Sequence, residues 1–132
     1  MNKTMLTGYL TQDPNLTYTP SGNAVCNFSI AVNRRWNDAD GNRQEETMWV
    51  RCAAWRGLAE NVAKYMKKGR QVLVEGHFVV DPATGSPRIY TKTDGTPGTS
   101  FELRCDTVEF LGGGGGAQAD NAEEAPGEPE PF

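Results

Sequence analysis

A short run near the middle of the chain, residues 47–55 (TMWVRCAAW), holds the residue types best suited to bind another molecule. Alternate side chains of a β-strand point to opposite faces. As a strand, this run has one apolar face suited to a core: Met48, Val50, Cys52 and Ala54. The other face has a guanidinium group between two indole rings: Trp49, Arg51 and Trp55. Unpaired bases stack on flat aromatic rings, at about 1–3 kcal/mol per base, while arginine binds phosphate. The pattern favours nucleic-acid binding; alternatively, both tryptophans pack under a loop or in a subunit interface.

A second cluster, residues 33–36 (NRRW), ends the preceding predicted strand and enters a polar loop. We expect bases to stack on Trp36 at the rim while Arg34 or Arg35 follows the phosphate backbone. The alternative is a solvated basic strand end whose tryptophan clamps the loop. Beside Trp49 and Trp55 we favour binding. Basic residues further along are expected to be weak, non-specific phosphate contacts at most: Lys64, Lys67, Lys68 and Arg70.

Residues for catalysis or metal binding are not arranged in any familiar pattern. His77 is the one histidine in the chain, and neither a phosphate-binding GxxxxGK[ST] loop nor a nucleophile elbow is present. Cys26, Cys52 and Cys105 are odd in number and widely spaced, which predicts buried thiols rather than a zinc site. We therefore expect no enzymatic activity, no cofactor and no metal.

The elements that must position these residues are mostly strands. Leu58, Val62 and Met66 recur every four residues and predict one helix over residues 56–69, with Gly69 as its stop. Strands are predicted at residues 2–10, 24–36, 45–55, 70–80 and 99–111, with residues 88–93 paired to the last across a turn at 94–98. This order fits an all-β fold, a five-stranded barrel of the OB-fold type with one helix between strands 3 and 4; other small β-barrels fit it as well.

Charge divides the chain in two. All 13 Lys and Arg residues precede residue 112 and five of the 17 Asp and Glu residues follow it, so the first part carries +1 and the last part −5. A run of five glycines begins the last part. These features predict a folded domain over residues 1–111 and a disordered acidic tail over residues 112–132. The sequence contains no predicted signal peptide or membrane span, so we expect a cytoplasmic protein.

Residues 10–36 and 45–76, with "RIY" and "VEFL" beyond them, strongly resemble the bacterial-type single-stranded DNA-binding proteins. The resemblance implies an OB-fold homotetramer that wraps single-stranded DNA without sequence specificity. It implies a location at the nucleoid and a role in replication, recombination and repair. The family's stacking aromatics match Trp36, Trp49 and Trp55, and its basic contacts match Arg34 and Arg51. A different class remains open: an OB-fold adaptor in a replication-restart or conjugation complex that acts mainly through protein contacts.

The chain also resembles this family at its end and departs from it in two hairpins. Members commonly close an acidic tail with Pro-Phe that docks onto replication and repair proteins, and this resemblance implies a similar role for Glu128, Glu130, Pro131 and Phe132. The usual aspartates are missing here, and Glu130 occupies a normally apolar position. Many members carry another stacking tryptophan after the fourth strand; here Phe78 or Tyr90 is the candidate substitute, and the alternative is that this contact is missing. The last hairpin is longer than expected.

Overall fold

Eight strands and one helix make up residues 1–111, the part of the chain that the computed structural model describes. The elements in chain order are β1 (Thr4–Leu10), β2 (Asn15–Tyr18), β3 (Ala24–Asn37), β4 (Arg43–Trp55), α1 (Arg56–Tyr65), β5 (Gln71–Phe78), β6 (Ile89–Thr91), β7 (Pro97–Thr99) and β8 (Phe101–Leu111). The predicted tail, residues 112–132, lies outside the described residues, so its boundary and its disorder stay predictions.

Five of these strands close into a barrel. The order is β1-β5-β8-β4-β3, and β1 pairs back onto β3, while β2 adds to the free edge of β3. All pairs are antiparallel except β4 with β8, which is parallel. Helix α1 lies between the third and fourth barrel strands in the sequence. The predicted OB-fold barrel, with its helix between strands 3 and 4, is confirmed.

The barrel core is formed by the apolar side chains at every second position of the strands, which point to the inside of the barrel. In β4 the predicted core residues Val50, Cys52 and Ala54 are buried, and Met48 packs against them at the margin. They meet the apolar series of β3, for example Phe28 opposite Cys52 and Ile30 opposite Val50. This regular pairing holds the other face of β4 outward.

Closure of the barrel depends on a glycine where β1 crosses β3. A Cβ atom at Gly8 would lie 2.6 Å from the carbonyl oxygen of Ala31, well inside van der Waals contact. Ala31 is fully buried for the same reason, although its alternation places it on the outer face of β3. A larger residue at position 8 would push the two strands apart.

Helix α1 ends at Tyr65, four residues before the stop predicted at Gly69. Met66 takes an extended conformation and is buried, and its N–H still donates to the carbonyl of Val62. The next residues bind the β1–β2 region instead of continuing the helix: the Lys68 N–H donates to Asp13 Oδ1, and the Gly69 N–H donates to the Leu10 carbonyl. No helix in the described part of the chain has the length and apolar character needed to cross a membrane.

The last hairpin differs from the predicted pairing. Ile89–Thr91 pairs with Pro97–Thr99 in a separate two-stranded sheet, and β8 begins only afterwards. The turn at Gly95 fixes this register, because the Lys92 N–H donates to the Thr96 carbonyl and the Gly95 N–H donates to the Lys92 carbonyl. Both edges of β8 are occupied by β4 and β5, so β6 has no place in the barrel.

Candidate nucleic-acid interface

The outer face of β4 carries the side chains that alternation predicted. Trp49 and Trp55 are partly exposed, and Arg51 between them is exposed. Their backbone neighbours Val50 and Cys52 point into the barrel and are buried. The structure therefore brings Trp49, Arg51 and Trp55 together on one side of one strand, where their flat and cationic groups can be approached from solvent.

An open groove of about 900 Å³ runs beside this face. β4 contributes Trp49 and Arg51, and the β6–β7 hairpin and the start of β8 contribute Tyr90 and Phe101. The remaining sides come from the β1–β2 connection and from β3, through Thr11, Gln12 and Ser29. The groove thus combines aromatic rings, a guanidinium group and small polar side chains, which suit a strand with exposed bases and phosphates. It also has one acidic residue in its lining, Glu46.

Tyr90 is better placed than Phe78 to supply a further stacking ring. Tyr90 lines the groove together with Trp49 and is 44% exposed. It lies opposite Gly98 in the β6–β7 hairpin. A Cβ at Gly98 would come within 3.1 Å of the Tyr90 ring, so this ring lies across the glycine. Phe78 packs against the core and has its ring centre 6.1 Å from that of Phe101. Geometry favours Tyr90 as the substitute for the missing tryptophan.

Trp36 and Arg34 lie on a different surface from Trp49 and Trp55. Beyond the barrel strands, residues 33–37 and 43–47 pair only with each other and form a two-stranded arm. Regular alternation puts Trp36 in the series of Phe28 and Ile30, on the opposite side of the β3–β4 ribbon from Trp49. The sequence predicted that bases stack on Trp36 at the rim; the structure places this residue in the arm, and its role in binding stays a prediction.

Two ion pairs occupy the two sides of this arm. The Arg34 guanidinium carbon lies 4.1 Å from the centre of the Trp36 ring, and its Nε donates to Glu46 Oε2 at 3.0 Å. On the other side, Arg35 Nη2 lies 3.2 Å from Glu45 Oε2. The Trp36 ring is therefore covered by an arginine of its own strand, which Glu46 holds in place.

The turn at the tip of the arm is organised by the Asp38 carboxylate. It accepts hydrogen bonds from the backbone N–H groups of Asn42 and Asp40 and from the Gln44 side chain. These bonds, that of Asn42 above all, lower the pKa of Asp38. The ionised carboxylate stabilises the polar loop that joins β3 to β4.

Arg104 is a neighbour of Trp55 that sequence reasoning missed. Its guanidinium carbon lies 5.1 Å from the centre of the Trp55 ring, and Arg104 stands opposite Ala53 in the parallel pairing of β4 with β8. The alternation of β8 indicates that Arg104 points outward, because Leu103 and Cys105 on either side of it are buried. The sequence alone did not show that β8 lies beside β4.

The cysteines are buried thiols, as predicted. Burial raises the pKa of Cys26 to about 11. A hydrogen bond with Cys105, and then burial, raise the pKa of Cys52 well above its usual value. Within residues 1–111 no group of three or more His, Cys, Asp or Glu side chains is placed to hold a metal ion. These thiols are suited to packing rather than to nucleophilic chemistry.

A family model described as "Single-strand binding protein family" matches residues 1–111. The chain is 42% identical over 111 residues to a "Single-stranded DNA-binding protein" of Oceanobacillus iheyensis, covering 84% of this chain and 63% of that protein. It is 39% identical over 113 residues to a protein of the same name from Neisseria meningitidis serogroup B, covering 86% and 61%. The chain thus spans somewhat more than three-fifths of the length of these relatives.

Solved structures agree with the sequence relatives. One is titled "Plasmodium falciparum SSB complex with ssDNA", with a TM-score of 0.70 and 26% identity, covering 84% of this chain and 95% of that one. A deletion mutant of the single-stranded DNA binding protein from Thermus aquaticus gives a TM-score of 0.68 at 25% identity, covering 87% and 52%. The matched residues include the whole barrel and the tryptophan-bearing face of β4. The chain belongs to the single-strand binding protein family.

Proposed function

We propose that this chain binds single-stranded DNA without sequence specificity and uses the outer face of β4 as its base-stacking surface. The observation that carries the proposal is the placement of Trp49 and Trp55 around the exposed Arg51, beside an open groove. Similarity to proteins named for single-stranded DNA binding supports it.

The chemistry of this face accounts for preference for unpaired strands. In a duplex the faces of the bases are already stacked on one another, whereas an unpaired base can stack on Trp49 or Trp55. Every base has an aromatic face, so this contact tolerates any sequence, at about 1–3 kcal/mol per base. Arg51 lies between the two rings and donates hydrogen bonds to phosphate, which positions the strand without reading it. Tyr90 supplies a third ring from the other side of the groove. No bond is made or broken, so the proposed role is non-enzymatic.

The arm extends this interface around the edge of β3 and β4. A strand that leaves Trp49 toward the loop reaches Trp36 on the opposite side of the ribbon. There a base stacks on Trp36 and Arg34 transfers from Glu46 to a phosphate. Trp36 and Arg34 therefore form a second contact, distinct from the face of β4.

The proposed biological role is to coat exposed strands during replication, recombination and repair, in the cytoplasm at the nucleoid. Coating keeps complementary segments from re-pairing because the stacked bases are occupied. We propose that the chain does this as a homotetramer, in which four such surfaces act on one strand.

The end of the chain is proposed to recruit partner proteins. Phe132 offers an aromatic ring together with the terminal carboxylate, and capture of a terminal carboxylate is a recurring mode of recognition. Glu128 and Glu130 steer this end toward basic partners, and Pro131 limits the entropy lost on binding. A pull-down that compares the full chain with one lacking Phe132 tests this role. If both proteins capture the same partners, Phe132 does not recruit partner proteins.

Titration with oligo-dT of several lengths, followed by tryptophan fluorescence and light scattering, tests DNA binding and assembly together. We expect strong quenching at low salt, weaker binding as salt rises, and a mass of four chains. Duplex DNA of the same length is the control and should quench weakly. If oligo-dT does not quench at low salt, the stacking proposal fails and the adaptor class of function becomes the better explanation.

A further inference from the structure

The outer face of β8 carries a cation that continues the tryptophan face of β4. Arg104 is exposed, and its guanidinium carbon lies 5.1 Å from the centre of the Trp55 ring. Parallel pairing sets Arg104 beside Ala53. The Ala53 side chain is small and does not protrude between the two strands. A strand whose base stacks on Trp55 would therefore meet Arg104 at the next step across the sheet.

The electrostatic surroundings leave Arg104 available. Within residues 1–111 it makes no ion pair, whereas Arg34, Arg35 and Arg88 each pair with a glutamate. Two acidic residues lie two positions from Arg104 along β8. Glu102 accepts two hydrogen bonds from Arg88, at 2.9 and 2.7 Å, which offset part of its negative charge, and Asp106 is exposed to solvent.

The row continues onto a third strand. His77 of β5 stands opposite Arg104 in the antiparallel pairing of β5 with β8, and it is partly exposed. Ala53, Arg104 and His77 thus form a line across β4, β8 and β5. The line crosses the strands, whereas Trp36, opposite Gln44, lies at the other end of the β3–β4 ladder from Trp55, so the two routes are separate.

We propose that Arg104 is a phosphate-binding residue that carries the bound strand from Trp55 across β8. The proposal rests on the proposed function and deepens it by naming the side of the barrel over which the strand continues. A guanidinium group is suited to this step because it binds phosphate through two parallel N–H donors while its flat face rests against an aromatic ring. Arg104 contacts the backbone, so it adds affinity without sequence preference.

The test measures the salt dependence of oligo-dT binding for the full-length protein and three variants: Arg104→Gln, Arg104→Lys and Lys3→Gln. Each phosphate neutralised on a single strand contributes about 0.7 to the slope of log K against log salt. Loss of one contact in Arg104→Gln therefore lowers the slope by about 0.7 and makes the loss of affinity about eightfold larger at 0.05 M than at 1 M salt. Arg104→Lys keeps the charge and should retain the slope.

Lys3→Gln is the matched control, since it removes one positive charge from a side chain outside the proposed binding surface, whose Nζ already pairs with Glu75 Oε2 at 2.7 Å. It should leave the slope unchanged. Arg104→Gln giving weaker binding by one constant factor at every salt concentration would mean that Arg104 only positions Trp55, and would overturn the proposal. An equal change of slope in Lys3→Gln would also overturn it. Failure of the unaltered protein to bind is a separate result that removes the proposed function itself.

Discussion

Replacing Glu46 by Gln is expected to strengthen DNA binding, because Glu46 competes with phosphate for Arg34. Arg34 Nε donates to Glu46 Oε2 at 3.0 Å, and this bond holds the guanidinium carbon 4.1 Å from the centre of the Trp36 ring. Both the ring and the cation must be released before they can contact a strand. Glu46→Gln removes the negative charge and keeps the size of the side chain.

The magnitude follows from how exposed this pair is. The side chains of Arg34 and Glu46 are 61% and 55% exposed. Ion pairs of this kind contribute about 0.2–1 kcal/mol. If DNA binding must break the pair, Glu46→Gln lowers the Kd by about 1.4- to fivefold. The contact of Arg34 with Trp36 remains, so the gain does not exceed that range. Added salt screens exposed charges, so the gain should shrink as salt rises.

The matched control is Glu45→Gln on the other side of the arm. It removes the same charge from the neighbouring residue, but its partner is Arg35, with 3.2 Å between Arg35 Nη2 and Glu45 Oε2. Fluorescence titration with oligo-dT at low and high salt compares the two variants. Glu46→Gln should bind more tightly than Glu45→Gln at low salt. Equal gains would show a general effect of net charge and refute the idea that Glu46 holds Arg34 back.

Three further outcomes are expected. Tyr90→Ala should raise the Kd for oligo-dT by about five- to 150-fold, because one stacked base contributes about 1–3 kcal/mol. The urea unfolding midpoint should stay near that of the unaltered protein. Gly8→Ala should lower the free energy of unfolding by more than about 1 kcal/mol because its Cβ would meet the Ala31 carbonyl oxygen at 2.6 Å, whereas Gly57→Ala, with open space around it, should not. The pKa of Cys26 is raised to about 11, so the unfolded thiol ionises first and stability falls between about pH 9 and pH 11; urea unfolding should show a smaller fall in Cys26→Ala.

The sequence predicted the two faces of β4 because they depend only on local alternation. Val50 and Cys52 are inside and Arg51 is outside, as the period of two requires. The same alternation along β3 predicts the face of the strand on which the Trp36 side chain lies. It does not show that β3 and β4 extend beyond the barrel, because that depends on where β1 and β8 stop pairing with them.

Features set by non-local contacts were not predictable in the same way. Arg104 joins Trp55 only through the parallel pairing of β4 with β8, two elements separated in the sequence by a helix and three strands. The early end of α1 depends on a hydrogen bond from Lys68 to Asp13, which lies 55 residues away in the sequence. The choice of Tyr90 over Phe78 depends on how the β6–β7 hairpin folds toward Trp49.

Proteins that keep a single tryptophan show directly where the bases stack. Each variant keeps one of Trp36, Trp49 and Trp55 and replaces the other two by Phe, which preserves a ring at every position. Oligo-dT is added to saturation and the fluorescence of the remaining tryptophan is measured. The Trp49 and Trp55 proteins should both be quenched. If DNA binds but neither of them is quenched, bases do not stack on the outer face of β4, and the account is contradicted.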